Sequence, residues 1–330
     1  MTYPRVLVTG AGGFVGGRVV EALHQAGAPH IKAATASLGN PHLSVHRSSA
    51  AAVEVTPYDL FDPASLARAL HGAEAVIHCA RDDDPARMAE GLRRLLGASR
   101  AAGVRKVVQL SSVAVYGAAT GEVVEDTPPA GKLDAYARAK LKSEADCRAA
   151  AGEGMAVAVL RPALVYGPGG ALWTTPFVRR LAAGWQGLGP GGMGRANLVH
   201  VDDVARCAAF VAGEALGAYA VFNLSGPEAP TWNDYLARFA DVLETPRPKG
   251  VQSTSLALAA LRRPAAALKR KLSKGKAPAS LAPTWQELKL FRLDAVYRTD
   301  KLAAMGFEPS VSLDEGLADC ARWAREQGMV

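Results

Sequence analysis

Residues 5–27 read RVLVTGAGGFVGGRVVEALHQAG, and their pattern indicates the fold class. Its first six residues, Arg5–Gly10, form a short β-branched apolar run that stops at glycine, as a strand buried on both faces does. From Phe14 the apolar residues recur at helical spacing, and Gly27 is placed to end that helix. A buried strand that passes through a glycine-rich turn into a helix is the first unit of a parallel sheet covered by helices.

The turn TGAGGFVG is suited to bind a pyrophosphate. Gly10 allows a sharp turn, Gly13 lets the backbone approach the phosphates, and Gly16 brings the helix close to the strand. The amides at the helix N-terminus, including those of Phe14 and Val15, face the phosphates, and the helix dipole adds partial positive charge. The stretch therefore predicts that these five residues bind a dinucleotide; glycines that only shape a turn are the alternative.

Strand and helix patterns then alternate along the first half of the chain. The further strands expected are HIKAAT, VEVTPYD, AEAVIHCA, KVVQLSS and AVAVLRP, and the helices between them include DPASLARAL and PARMAEGLRRLLGASRAAG. Repeated strand–helix units joined by short turns predict an α/β fold with a doubly wound parallel sheet of the Rossmann type. We expect residues 1–166 to form this core, completed by 197–225, and residues 167–196 and 226–330 to form a smaller, mostly C-terminal substrate lobe.

Residues at the ends of the expected strands should face the bound cofactor, because ligands of such sheets bind at the carboxyl ends of the strands. Asp59 and Leu60 follow the third strand near the expected adenine position, and Cys79 and Ala80 follow the fourth. Asp59 has an alternative role as a cap of a turn or helix. We interpret His78 as a buried structural histidine in preference to a chemical group.

The end of the second strand bears on the choice of cofactor. NAD enzymes usually place Asp or Glu there to bind the adenosine ribose, whereas this chain has Thr35 and Ser37. No carboxylate there repels a 2′-phosphate, although no arginine follows until Arg47. The cofactor expected is NAD or NADP, with a slight preference for NADP, and Thr35 is an expected contact.

The composition is typical of a soluble globular protein. Its 330 residues suffice for one large core or a core with a smaller lobe, and 49% are hydrophobic and 21% charged. No apolar run is long enough to span a bilayer, and MTYPRVLVTG enters a strand without a signal sequence, so we expect a cytoplasmic protein. The four cysteines lie far apart, which predicts reduced structural thiols and no metal site.

The net charge of +7 is concentrated in one segment, Arg262–Lys276, which alone contains seven Lys or Arg residues. A nucleic-acid-binding protein would spread its basic residues over a broad face, so we expect no nucleic-acid partner. Leucines at helical spacing favour a solvated helix packed on the lobe. Docking of this segment on an anionic membrane surface is the less favoured alternative.

Six motifs occur in a characteristic order: TGAGGFVG, DL, HCA, SSVAVYG, YARAK and RPALVYGPG. In that order, and over roughly the first 225 residues, the chain resembles the extended short-chain dehydrogenase/reductase family, also labelled NAD-dependent epimerase/dehydratase. The resemblance implies that Tyr136 is the proton donor or acceptor. It also implies that Lys140 supports this tyrosine and binds the cofactor ribose, and that Ser112 holds the substrate oxygen.

Elementary chemistry agrees with these roles. A free tyrosine titrates near pH 10, about three units too high for a base at neutral pH. Because a cation one helical turn away stabilises phenolate, we expect Lys140 to lower the pKa of Tyr136. Ser112 is favoured over Ser111, since neighbouring residues of a strand point to opposite sides. The further substrate contacts expected are Arg81, Val113 and Tyr166, and an ion pair with the acidic residues Asp82–Asp84 is an equal alternative for Arg81.

Three departures from the family pattern limit the reactions that we expect of this chain. Dehydratases of the family carry acidic residues just after the serine, where this chain has Val113 and Ala114, so dehydration is disfavoured. Ala196 occupies the place of the arginine that clamps a diphosphate in nucleotide-sugar enzymes, with Arg195 one residue early. Met88 stands where many members have a supporting asparagine, and a thioether is a poorer hydrogen-bonding group.

The favoured function is an NAD(P)-dependent oxidoreductase that transfers hydride between nicotinamide and a secondary alcohol or ketone carbon. A nucleotide-sugar epimerase with tightly held NAD is the alternative. A non-catalytic dinucleotide-binding protein is less favoured, because both Tyr136 and Lys140 are present. The partner expected is a small-molecule substrate, and a homodimer is left open.

Overall fold

The computed structural model of the chain describes residues 3–36, 52–152, 154–250 and 283–330. Ser37, Arg47 and the basic segment Arg262–Lys276 lie outside these ranges, so the interpretations that rest on them stay predictions. In the described ranges, no helix combines the length and apolarity needed to cross a bilayer.

The strands, numbered in chain order, are β1 (Val6–Thr9), β2 (Ile31–Thr35), β3 (Val53–Pro57), β4 (Ala75–His78), β5 (Lys106–Leu110), β6 (Gly121–Val123), β7 (Ala156–Pro162), β8 (Leu164–Tyr166), β9 (Leu198–His200), β10 (Tyr219–Leu224) and β11 (Ala295–Tyr297). The α-helices are α1 (Phe14–Gln25), α2 (Pro63–Leu70), α3 (Pro85–Ala101), α4 (Ala135–Ala150), α5 (Thr175–Ala182), α6 (Val201–Gly213), α7 (Trp232–Val242), α8 (Trp285–Leu290), α9 (Asp300–Ala304) and α10 (Leu313–Glu326).

Seven strands form one parallel sheet in the order β10-β7-β5-β4-β1-β2-β3. The chain runs outward from β1 to β3 on one side and returns to β4 on the other, so the strand order reverses between β1 and β4. This is the doubly wound Rossmann arrangement that the sequence predicted. Ligands of open sheets bind where the order reverses, outside the carboxyl ends of the strands.

Both faces of the sheet are covered, as its strand sequences predict. In β1, Val6 and Val8 belong to a buried cluster with residues of α1 and α6, whereas Leu7 belongs to a cluster with residues of α2 and α3. The faces of β1 are therefore occupied by core, and its carboxyl end is the part that remains for ligand binding.

A third buried cluster, the aromatic cluster, is rich in aromatic rings, and most of its residues come from the segments expected to form the smaller lobe. The Trp232 and Phe291 ring centroids are 4.7 Å apart, and Phe177 stacks on Trp232 at 5.8 Å. These residues come from α7, the end of α8 and α5, so segments distant in sequence meet in this cluster.

Two short parallel pairs lie outside the main sheet, β8 with β9 and β6 with β11. In the second pair Tyr297 of β11 lies opposite Val123 of β6. Tyr297 also stacks on Tyr116, with ring centroids 5.8 Å apart. The C-terminal part of the chain thus packs beside the segment that follows β5.

Candidate active site

The glycine-rich turn after β1 is shaped by close backbone contacts. Gly10 has a φ of 69°, and a Cβ added to it would lie 2.7 Å from the Cα of Ala80. A Cβ on Gly16 would overlap the carbonyl oxygen of Gly10. Both positions therefore require glycine so that the turn can pack against the end of β4 and against the start of α1.

The N-terminus of α1 is open in the way that a phosphate site needs. Gly13 is its N-cap residue, and no side chain caps the helix. A Cβ on Gly13 would meet only the Gly10 carbonyl oxygen, at 3.2 Å. Because the protein leaves this space free and the adjoining amides of Phe14 and Val15 begin the helix, the cradle fits a pyrophosphate.

The residues at the ends of β2 and β3 are held by local hydrogen bonds. Thr35 is buried, and its carbonyl accepts a bond from the Tyr58 amide at 3.0 Å. The Asp59 carboxylate accepts a bond from the Phe61 amide at 2.8 Å, which is the capping role considered as its alternative. Leu60 packs against Gly91 of α3.

At the end of β4, the side chains of His78 and Cys79 are uncharged at neutral pH. The His78 Nδ1 atom lies 2.6 Å from the Thr9 hydroxyl, and burial lowers the pKa of the imidazole to about 3. The Cys79 amide donates to the Thr9 carbonyl at 3.1 Å, and burial raises the pKa of its thiol to about 12. His78 is thus neutral and structural, the interpretation preferred from the sequence.

Helix α4 carries Tyr136 and Lys140 on one face. Asp134 caps the helix by accepting a bond from the Ala137 amide at 2.8 Å. The Lys140 Nζ atom is buried, donates to the Leu110 carbonyl at 2.8 Å and lies 5.7 Å from the Tyr136 ring centroid. The lysine is therefore fixed between the end of β5 and the tyrosine.

Ser112 completes the group, because its hydroxyl lies close enough to Tyr136 to lower the pKa of the phenol. It also caps the short 3₁₀ turn Val113–Tyr116 by accepting a bond from the Ala114 amide at 3.2 Å. Val113, the adjacent expected contact, is buried at the start of this turn. The structure thus brings Tyr136, Lys140 and Ser112 together at the carboxyl end of β5.

Burial dominates the ionisation of the site. It raises the pKa of Tyr136, and the charge of Arg81 and the Ser112 hydroxyl act against that rise. The expectation that Lys140 favours the phenolate of Tyr136 stays a prediction. Burial, aided by Arg81, lowers the pKa of Lys140 to about 8.

Arg81 follows β4 and combines the two roles that the sequence left open. Its Nη2 atom lies 3.3 Å from the Asp83 carboxylate, so it does pair with an acidic neighbour. Asp83 is 99% exposed and Arg81 53% exposed, so water screens this pair strongly. The guanidinium nevertheless affects both Tyr136 and Lys140.

Tyr166 and Met88 occupy packing positions. Tyr166 is buried in the aromatic cluster, its ring lies 5.3 Å from that of His200, and its hydroxyl faces Gly316 of α10. Its role as a substrate contact stays a prediction. Met88 is buried in α3.

Sequence reasoning missed a buried polar group behind the site, formed by Ser111, Glu144 and Arg161. Ser111 donates to Glu144, so it points away from the crevice as strand alternation predicts. One signal was available in the sequence: Arg161 is the single charged residue in the otherwise apolar strand AVAVLRP. A charge inside a buried strand needs a partner.

Comparisons with known proteins agree with this architecture. The family model described as NAD dependent epimerase/dehydratase family matches residues 6–225. The solved structures of MoeE5 in complex with UDP-glucose and NAD (24% identity, TM-score 0.74, covering 98% of this chain and 99% of that one) and of gox2253 (23% identity, TM-score 0.74, covering 99% of both chains) share the fold.

Among curated relatives, UDP-glucose 4-epimerase of Azospirillum brasilense is 32% identical over 172 residues, 48% of each chain. Sterol demethylase protein B of Methylococcus capsulatus is 34% identical over 175 residues, 49% of this chain and 52% of that protein. For 2-alkyl-3-oxoalkanoate reductase of Stenotrophomonas maltophilia the identity is 29% over 225 residues, 64% of this chain and 66% of that protein.

The chain spans about half the length of most curated relatives it matches. The family match is broader and extends from β1 through β10 of the main sheet. Because this match covers well over half of the 330 residues, the protein belongs to the NAD dependent epimerase/dehydratase family.

Proposed function

We propose that the protein is an NAD(P)-dependent oxidoreductase that interconverts a ketone and a secondary alcohol. The observation that carries this proposal is the placement of Ser112 and Tyr136 beside buried Lys140, at the same edge of the sheet as the open glycine cradle. An acid–base group and a dinucleotide site on one crevice suit hydride exchange.

The residues of the chain fit a dinucleotide. Gly13 leaves room for the pyrophosphate at the uncapped start of α1, and Gly10 and Gly16 allow the close packing that shapes the turn. Thr35 and Asp59 are the proposed contacts on the adenosine side. When bound, the nicotinamide supplies or accepts the hydride. NAD and NADP both remain candidates, with the slight preference for NADP resting on the absence of a carboxylate in HIKAATAS.

In the reduction direction, Tyr136 donates its proton to the carbonyl oxygen of the substrate. The Ser112 hydroxyl, which lies beside Tyr136, donates a hydrogen bond to the same oxygen and orients it. Because burial raises the pKa of Tyr136, the free protein holds the phenol protonated at neutral pH, the form that carbonyl reduction uses. The charged Lys140 then favours the phenolate that remains after proton transfer.

Arg81 supports a narrower substrate class. Its charge lies near enough to affect both Tyr136 and Lys140, and its present partner Asp83 is fully exposed. We propose that it binds an anionic group close to the reacting carbonyl, such as the carboxylate of a 3-oxo acid. The name of one relative, 2-alkyl-3-oxoalkanoate reductase, specifies a substrate of this kind.

Nucleotide-sugar epimerisation is the second candidate, favoured by the similarity to UDP-glucose 4-epimerase. Two arginines near the expected diphosphate position are paired with carboxylates of the chain. Arg180 is buried and pairs with Glu287 at 2.8 Å, and Arg195 pairs with Asp294 at 3.3 Å. Ala196 itself is fully buried. The oxidoreductase proposal therefore keeps precedence.

The test uses the full chain with NADH or NADPH and follows the absorbance of the reduced nicotinamide. We expect turnover with a 3-oxo acid and a higher KM for its methyl ester. Arg81→Gln should raise KM for the acid and leave KM for the ester unchanged. UDP-galactose formation from UDP-glucose, with no nicotinamide oxidation on the ketone panel, would instead establish the epimerase.

A further inference from the structure

The end of β5 and the residues after it approach helix α4 at three successive positions. The Leu110 carbonyl accepts a bond from Lys140, Ser111 donates to the carboxylate of Glu144, and the Ser112 hydroxyl lies beside Tyr136. Residues 136, 140 and 144 are four apart and therefore share one face of the helix. Glu144 thus belongs to the same contact surface as the proposed acid–base pair.

The Glu144 carboxylate is fixed from behind by Arg161 of β7. The Arg161 Nη2 and Nε atoms donate to its two oxygens at 2.6 and 3.0 Å, a bidentate pair. The side chains are only 10% and 6% exposed, so solvent screens this pair little. Arg161 Nη1 also donates to the Tyr116 hydroxyl and the Glu125 carbonyl, both at 2.7 Å, which fixes the guanidinium itself.

Few of the groups around the Lys140 amine carry charge at neutral pH. Those that face it are, from α4, Tyr136, Glu144 and Cys147, and, from the end of β4, His78, Cys79 and Arg81. Burial raises the pKa of both thiols to about 12 and lowers that of His78 to about 3, so these three groups are neutral. The Tyr136 phenol is also protonated.

Two charges therefore act on Lys140 from these groups, and they oppose each other. Arg81 favours the neutral amine, as burial does, and Glu144 favours the ammonium form. Without the Glu144 carboxylate, burial and the like charge of Arg81 would both favour the neutral amine, and none of these groups would supply an opposing anion.

We propose that Glu144, held by Arg161, is a positioning residue of the acid–base site that keeps Lys140 charged and holds the Ser112 segment against α4. This inference rests on the proposed roles of Tyr136 and Lys140. Glu144 itself contacts neither substrate nor cofactor; it acts through Lys140 and Ser111. Its contribution is to keep an ammonium group in a buried place where the surroundings disfavour charge.

The decisive variant is Glu144→Gln, which preserves the shape and the acceptor for Ser111 and removes the charge. We expect the Lys140 amine to titrate about one pH unit or more lower in this variant. The measurement is trace acetylation of the full chain at a series of pH values without cofactor, with the Lys140 peptide quantified by mass spectrometry. In the proposed reduction, the alkaline limb of kcat/KM should move to lower pH by the same amount.

Two further variants separate the electrostatic effect from folding. Glu144→Gln leaves Arg161 buried without its partner, so the double variant Glu144→Gln/Arg161→Met removes both charges and avoids that penalty. The Lys140 titration should still shift downward in it, although by less, because the carboxylate that favours the ammonium form is lost together with the cation that partly offsets its field. Arg161→Lys retains the carboxylate and a cation, and should keep the Lys140 titration at its wild-type position.

The matched control is Glu90→Gln on α3. Glu90 also pairs with arginines, at 2.5 Å with Arg93 and 2.9 Å with Arg94, but is not among the groups around Lys140. It should leave the Lys140 titration unchanged.

The outcomes distinguish this inference from the proposed function. An unshifted Lys140 titration in both Glu144 variants overturns the inference, even if their melting temperatures fall, because only a structural role would then remain. A shifted titration in a protein without nicotinamide-dependent turnover supports the electrostatic role of Glu144 and refutes the proposed function.

Discussion

Replacing Gly10 with alanine tests whether the contact between the β1 turn and the end of β4 shapes the cofactor crevice. Two penalties combine at this position. A φ of 69° costs a residue with a Cβ about 1–2 kcal/mol. The new Cβ would also lie 2.7 Å from both the Cα and the nitrogen of Ala80, and this backbone must shift. Overpacking of this kind costs about 1–3 kcal/mol.

Gly27 provides the matched control. Its φ is 77°, but a Cβ added there would have no atom within 4 Å. Gly27→Ala therefore carries the backbone penalty alone, about 1–2 kcal/mol. The gain from a less flexible unfolded chain is common to both variants and cancels in the comparison.

Urea unfolding of the two variants gives the difference directly. We expect Gly10→Ala to reduce the free energy of unfolding by about 1–3 kcal/mol more than Gly27→Ala does. Calorimetry with NAD and NADP should show weaker binding in Gly10→Ala alone, since Ala80 is a proposed cofactor contact. Equal losses of stability in the two variants would refute this reasoning, because the overlap with Ala80 would then contribute nothing to the free energy of unfolding.

Further predictions concern the acid–base site, the cradle and the basic segment. Tyr136→Phe should lower turnover about 10²–10⁴-fold with dinucleotide affinity nearly intact, and a wild-type rate would exclude its role. Gly13→Val should abolish dinucleotide binding with an unchanged circular dichroism spectrum; unaltered affinity by calorimetry would exclude the cradle. Because the pKa of Lys140 is lowered to about 8 from 10.5, the unfolded chain binds more protons between these values. Stability of the wild type relative to Lys140→Met should therefore rise with pH across this window, by about 3 kcal/mol, and a flat difference in urea titrations would contradict the burial of a charged amine. Replacing the seven Lys and Arg of Arg262–Lys276 by Gln decides whether anionic liposomes pellet the protein through this segment; equal pelleting of both proteins, or none, rules the membrane role out.

The features that sequence reasoning predicted well depend on local signals. The unit from β1 to α1 is formed by contiguous residues, so its sequence pattern predicts it directly. Gly10 adopts the positive φ that a sharp turn needs. The opposite orientations of Ser111 and Ser112 follow from strand alternation alone.

Features that arise from distant parts of the chain were not predictable in the same way. The pKa of Tyr136 depends on burial and on Arg81, which lies far earlier in the sequence and reaches the site only because β4 and β5 are neighbours. The sequence did not identify Glu144 as the partner of Arg161 for a similar reason. Glu144 lies on α4 and Arg161 on β7, so the two side chains meet only when the helix packs behind the strand. Tyr166 follows the motif strand, but its hydroxyl is turned to α10, which no local pattern specifies.

The pairing of β6 with β11 affects the order in which parts of the chain can fold. Gly121 and Ala295 are partners although more than half of the chain separates them. Closing so long a loop carries a large entropic cost, and contacts of high sequence separation slow folding. During synthesis β6 must wait for β11 to emerge, and Tyr116 remains without the Tyr297 ring that stacks on it. A nascent chain that has completed the main sheet thus still lacks one support of the segment that carries Ser112.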